Sequence, residues 1–203
     1  MYYYPNMELQ NFINSHPNYI SEFKKSSFKV RSFKDLKIVS HAYDQVPDFS
    51  SEEDRWKMFC RGAVINSEHK IVCLPPAKAI ELKDKDELPT FEETGAAQAE
   101  GQYESLIDGT MINLFFHNDQ WLISSRSEIG GYNKWNNKKS FRQLFDDCAN
   151  TLDYDTLDKN CSYSFVLRHV ENRNVSPIKQ NDLHLVEMYR FTNDTIERLA
   201  KSE

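Results

Sequence analysis

A chain of 203 residues is long enough for one large domain with its own core, or for one domain and a small appendage. Hydrophobic residues at 39% and charged residues at 28% are ordinary for a globular protein, and no run approaches the roughly 18 apolar residues of a membrane helix, so no membrane partner is expected. The net charge of -6 argues against a surface that grips nucleic acid over its whole extent, but leaves room for a local basic cleft.

Met1-Tyr-Tyr-Tyr-Pro5 has neither the basic nor the apolar region of a secretory signal. Cys60, Cys73, Cys148 and Cys161 are scattered singly, which suits small core residues better than a zinc site or a disulfide frame. The expected compartment is the reducing cytoplasm. From Met7 to Phe23 the apolar residues Leu9, Phe12 and Ile13 recur at helical intervals until His16-Pro17 interrupts them, predicting a short helix, a turn and a second turn of helix. Lys24, Lys25, Lys29, Arg31 and Lys34 form the most basic stretch and read as a loop or the start of a strand, most simply a solvated surface. Residues 1–35 are therefore expected to form an N-terminal helical extension, and 36–203 the main core.

Leu36–Tyr43 and Trp56–Asn66 read as strands separated by a polar loop, with Ser67-Glu-His69 turning into a partner strand over Lys70–Pro75. Lys83–Glu100 is acidic and holds Pro89 and Gly95, which predicts an exposed loop or a short helix. Glu104–Thr110 reads as a strand entering a tight turn at Asp108-Gly109, with strands over Thr110–Phe116 and Trp121–Arg126 joined at Asn118-Asp119. Ser140 ahead of apolar residues spaced i, i+3, i+4 predicts a capped helix to Ala149. Tyr163–Arg168 and Leu183–Tyr189 read as strands, and Thr192–Leu199 as a last capped helix. The fold class is α+β, with antiparallel sheets flanked by helices.

Five segments, taken in order, resemble the adenylation domain of phage-type single-strand RNA ligases, which belong to the lysine-dependent covalent nucleotidyltransferases. Cys60-Arg61-Gly62 is similar to that family's Arg-Gly strand, and Cys73-Leu-Pro-Pro-Ala-Lys78 to its Pro-x-x-Lys segment. Leu106-Ile-Asp-Gly-Thr110 stands where the family has Lys-x-Asp-Gly-(Ser/Thr), Ser124–Ile129 where a basic residue reaches the nucleotide phosphates, and Asn172-Arg173 where the family has Asn-Arg. The resemblance covers Ile38 to Tyr189. It implies a nucleotidyltransferase core, ATP with Mg²⁺ as cofactor, a nucleotide or RNA as ligand, and a family widespread in phages and large viruses. Arg61, Lys78, Asp108, Gly109, Thr110 and Arg126 are the nucleotide-binding positions it carries over, with no metal ligand assigned.

Departures from the family bear on the chemistry. The family's lysine attacks the α-phosphate through a neutral nitrogen, and Leu106 has no lone pair to offer. No lysine lies between Lys85 and Lys134. Ile80 replaces the aromatic residue that stacks on adenine, and Val166 falls near the strand-borne glutamate. No Glu-Gly strand or Lys-x-Lys pair follows Tyr189. Aliphatic residues at all three positions suggest a cleft repacked as core by Leu106, Ile80 and Val166. The expectation is a catalytically impaired RNA ligase-like protein that binds a nucleotide or nucleic-acid end, or serves as a scaffold for a protein partner. The other reading is an active ligase completed by a second chain. Trp121, Tyr132 and Trp135 offer either a base-stacking platform or, more simply, buried aromatics. None of the histidines shows metal-ligand spacing.

Overall fold

Apolar alternation along most of the chain produces two antiparallel sheets, and the helices lie outside them. The computed structural model describes residues 7–41, 51–78, 106–134 and 138–200. Helices α1 (Glu8–Ser15) and α2 (Tyr19–Lys25) lead into β1 (Phe28–Phe33) and β2 (Leu36–His41). A 3₁₀ helix over Glu52–Phe59 precedes β3 (Arg61–Ile65) and β4 (Ile71–Cys73), which completes a four-stranded sheet in the order β1-β2-β3-β4. The second sheet holds β5 (Thr110–His117), β6 (Gln120–Ser124), β7 (Cys161–Arg168), β8 (Asp182–Phe191) and β9 (Ile196–Arg198), in the order β6-β5-β7-β8-β9. Helix α3 (Phe141–Cys148) lies between β6 and β7 in sequence.

Three apolar clusters hold these layers. Leu36, Ile38, Val64 and Cys73 from the first sheet meet Phe115 of the second, together with Ile129. Their side chains form the seam between the sheets. The opposite face of the first sheet is covered by α1, α2 and the 3₁₀ helix, where Leu9, Phe23, Trp56 and Phe59 pack on Val39 and Ala63. Helix α3 covers the outer face of the second sheet through Leu144, Phe145 and Cys148 against Ile112, Leu114 and Phe165. Its start follows the expected chemistry: the Gln143 N–H donates to Ser140 Oγ while the Gln143 side chain accepts from the Ser140 N–H. All four cysteines are buried and unpaired. Burial pushes the Cys73 thiol up to about 12 and the Cys148 thiol up to about 11, so neither is a reactive thiolate.

Several expectations need correction. Residues 28–33 are not part of a helical extension: Phe28-Lys-Val-Arg-Ser-Phe33 pairs with β2 over six positions, so the first sheet begins before residue 36. Trp56–Phe59 is 3₁₀ helix and not strand, because Trp56 and Phe59, three apart, both turn into the core under α1. Thr192–Leu199 is not a helix. Thr192 and Thr195 bond to each other's main chain and close a turn, after which Ile196 is buried and β9 pairs with the edge of β8. Leu106–Asp108 form no strand, so Asp108-Gly109 is not a hairpin turn. The hairpin at Asn118-Asp119 does form, with φ of 47° and 58° at its two residues, as a twisted two-residue turn requires.

Two polar contacts finish the first sheet. The β1–β2 turn is tied to the second sheet by Asp35, whose Oδ2 is 2.8 Å from His117 Nε2 and accepts from Asn118 Nδ2 at 3.4 Å. At the β4 edge, the Ile71 N–H donates to Gln10 Oε1 at 2.8 Å and Gln10 Nε2 donates to the His69 carbonyl at 3.0 Å. The Gln10 amide thus pairs with β4 as a neighbouring strand's peptide would. Among the described residues no helix is long and apolar enough to cross a membrane.

Candidate functional site

At one end of the inter-sheet seam, where β3 and β5 begin and β6 and β7 end, the two sheets part into a cleft of about 890 Å³. Arg61, Asp108, Gly109, Thr110 and Arg126 all line it. Five of the six positions carried over from the resemblance are thereby gathered in one place. Lys78 is not among the lining residues; its N–H donates to the Met58 carbonyl at 2.9 Å, which runs its segment along the 3₁₀ helix.

The strand register explains how Arg61 reaches the cleft. Val39 pairs with Ala63 but Ser40 pairs with Arg61, so Gly62 is an extra residue in β3. Without that bulge Arg61 would share the face of Ala63, which is buried beneath the helices. The bulge turns it to the side of Ile38 and Val64, the side that faces the second sheet. Gly62 has φ of +119°, and a Cβ there would lie 3.1 Å from the Arg126 carbonyl oxygen. A residue without a side chain therefore lets the main chain of Arg126 come up against β3. The two arginines end close enough that Arg61 is held below its usual pKa, first by burial and then by the charge of Arg126.

Gly109 has a different reason to be glycine from the one that a turn would give. It is absent from the positive-φ glycines, Gly62, Gly130 and Gly131. A Cβ at Gly109 would stand 2.5 Å from Val166 Cγ1 and 2.6 Å from the Leu167 carbonyl oxygen. Close approach to β7 is what excludes a side chain. Beside it Asp108 acts as a fastener: its Oδ2 accepts the Ser176 N–H at 2.6 Å. Thr110 Oγ1 accepts from Asn172 Nδ2 at 2.9 Å, and Asn174 Nδ2 donates to the carbonyls of His169 and Asn172. These bonds pin the loop after β7, which brings Arg173 into the cleft wall.

Arg173 and Lys134 are lining residues that the carried-over set leaves out. Arg173 was visible as the Asn172-Arg173 pair, whereas Lys134 carried no motif. The described lining holds four cationic side chains, Arg61, Arg126, Lys134 and Arg173, and one carboxylate, Asp108. The concentration of positive charge is local in a chain whose net charge is -6.

The expectation that Leu106 has become core is corrected: it is fully exposed, two residues before Asp108. Val166 is buried, against Gly109. Ile80, the polar loop after His41, the acidic stretch at 83–100 and Trp135 lie outside the described residues. Trp121 packs among Phe116, Tyr154 and Tyr163 on the outer face of the second sheet and is no platform for the cleft. Among the described residues no three His, Cys, Asp or Glu side chains gather in a metal-binding arrangement. Compared with protein-family models, the chain matches none. No curated protein matches it either.

Proposed function

We propose that this is an RNA ligase-like protein of the nucleotidyltransferase fold whose cleft holds the phosphates of a nucleotide or a nucleic-acid end without forming a covalent bond to them. The observation that carries this reading is the convergence of Arg61 and Arg126. Both line one cleft and each disfavours the other's charge, so an oxyanion bound there relieves the repulsion through charge-assisted hydrogen bonds. Arg173 and Lys134 extend the same cationic lining. Leu106, at the position of the family's nucleophile, has neither lone pair nor acidic proton, so the side chain there cannot attack a phosphate.

The donor set fits the phosphates of ATP better than it fits a bound cation. Four cationic side chains face one carboxylate, and that carboxylate already accepts the Ser176 N–H. A Mg²⁺ arriving with ATP would be carried by the phosphates themselves. In this reading Arg61 and Arg126 bind and orient the phosphate, while Asp108, Thr110 and Asn172 hold the loop that supplies Arg173.

Two measurements on the intact chain test it. Incubation with α-labelled ATP or GTP and Mg²⁺ or Mn²⁺, followed by denaturing electrophoresis, is expected to leave no label on the protein; retained label would restore an enzyme with another nucleophile. Equilibrium binding of ATP is expected to weaken at least about tenfold in Arg61→Ala or Arg126→Ala, the loss of one charge-assisted contact. If the unaltered protein binds neither ATP nor a 5′-phosphorylated oligonucleotide, the cleft has kept its shape and lost its ligand, and the scaffold reading replaces this one.

A further inference from the structure

The apolar side chains that this fold leaves in solvent are not scattered. Among the described residues four large hydrophobic side chains are exposed: Leu106, Tyr132, Val170 and Val175. Leu106 and Val175 are 101% and 95% exposed, so folding gains nothing from burying either. All four stand in the three segments that supply one wall or another of the cleft, and the described helices and first sheet expose none. Leu106 lies two residues before Asp108, whose carboxylate accepts the Ser176 N–H, and Val175 is the lining residue next to Ser176. That one bond brings the segments of the two aliphatic side chains together on the rim. Tyr132 lies two residues before Lys134 of the lining, with one edge of its ring over Gly130. Val170 opens the loop that carries Arg173, its N–H fixed to Asn181 Oδ1 at 3.1 Å.

We propose that this rim is a docking surface for a polypeptide partner whose contacting segment is acidic and carries aliphatic side chains. The proposal goes beyond phosphate binding and does not depend on it, because Arg61 and Arg126 are left to their own ligand. Exposed apolar side chains grouped around polar ones mark an interaction surface. Charge sets the sign of the partner. Each apolar position has a cation close by in the chain, Lys134 after Tyr132 and Arg173 before Val175, and both cations are exposed. Carboxylates of the partner pair with these two while its aliphatic side chains cover Leu106, Val175 and Tyr132. A second copy of this chain fits poorly, since a face-to-face dimer sets Lys134 and Arg173 against the same two cations. A nucleic acid fits less well than a polypeptide for a different reason. Bases stack on flat rings, and three of the four exposed residues are aliphatic.

The test selects a displayed library of random 12-residue peptides against the full chain, then measures the enriched sequences as synthetic peptides by fluorescence anisotropy. Enriched sequences are expected to combine Asp or Glu with Leu, Ile or Val. Leu106→Ser/Val175→Ser is expected to weaken their binding at least about tenfold, the loss of a buried aliphatic contact, with no change in the urea midpoint because both side chains are solvated in the free protein. Lys134→Gln/Arg173→Gln is expected to weaken it as well and to flatten its salt dependence. Selection that yields no acidic binder, or binders indifferent to Leu106→Ser/Val175→Ser, would overturn the docking surface and leave the phosphate reading standing. Equal loss of a single-stranded 12-mer oligonucleotide in that variant would give the rim to a nucleic acid. A concentration-dependent dimer that the variant abolishes would give it to a second copy. Peptide binding that emerges only in Asp84→Asn/Asp86→Asn/Glu87→Gln would give it to the chain's own acidic stretch. Each of these three results would overturn the polypeptide partner.

Discussion

The space between the two sheets has two ends made of opposite materials. At one end Leu36, Ile38 and Phe115 close it with side chains that are at most 2% exposed, and Asp35 latches the rim to His117. At the other, Arg61 and Arg126 line an open cleft. Burial of apolar surface stabilises the closed end, while the open end assembles like charges that the fold must hold in place by other means. Those means are visible: the Gly62 bulge, the close approach of Gly109 to β7, and the bonds of Asp108 and Thr110 to the loop carrying Arg173. The lesson is that the residues that close the core and those that line the cleft are different residues of the same two sheets, so the one set can be altered without the other.

The sharpest way to break this contrast is to damage the closed end. Phe115→Ala is expected to cost about 3–5 kcal/mol in urea unfolding, the usual loss for a buried phenylalanine. Its binding of ATP should stay within about twofold of the unaltered protein under conditions where it remains folded. A large binding defect in the folded variant would show that the two ends are coupled.

Gly109→Ala acts on both properties. Its new methyl must displace the Leu167 carbonyl or Val166, at roughly 1–3 kcal/mol for overpacking, and the shift carries Asp108 with it. Both a lower unfolding midpoint and weaker phosphate binding are expected. Normal binding in a destabilised variant would remove the role assigned to Asp108 as a fastener.

A smaller effect concerns pH. Lys139 Nζ lies 2.8 Å from Asp147 and from Glu171, joining α3's last turn to the loop before Arg173. The hydrogen bond to Lys139 is the main reason that both carboxylates titrate below their usual range, and the same contacts raise Lys139. The carboxylate contribution is therefore complete above about pH 5 and is lost as acid reaches the lowered values. The lysine contribution is complete below about pH 10 and is lost above its raised value. Lys139→Met is expected to flatten the acid limb of stability measured by urea midpoints between pH 3 and pH 7. An unchanged limb would assign acid sensitivity elsewhere.

Much of the framework was legible because local chemistry and the final fold agree. Ser140 and Gln143 cap α3, Asn118-Asp119 turns a hairpin, and the apolar runs of β5 and β7 became central strands. Legibility failed where a tertiary neighbour decides. The charges of Lys29 and Arg31 masked the alternation of Phe28 and Val30 that makes β1, and the free edge of β8 recruits Ile196 into β9. The cleft was partly legible through Arg61-Gly62 and Asp108-Gly109-Thr110. The place of Arg173 in the lining was not, because the loop that carries it is set by hydrogen bonds between segments more than sixty residues apart in the chain, and Lys134 carried no motif.

The Gln10 amide against β4 has a consequence for solubility. It occupies hydrogen-bonding groups of a strand margin that would otherwise invite another polypeptide to dock there. One side chain on the first helix thereby does a gatekeeper's work for the whole protein. Gln10→Ala is expected to reveal it as concentration-dependent assembly in light scattering, with little change in the monomer's circular dichroism. A variant that stays monodisperse at every concentration would mean that the margin is guarded by something else.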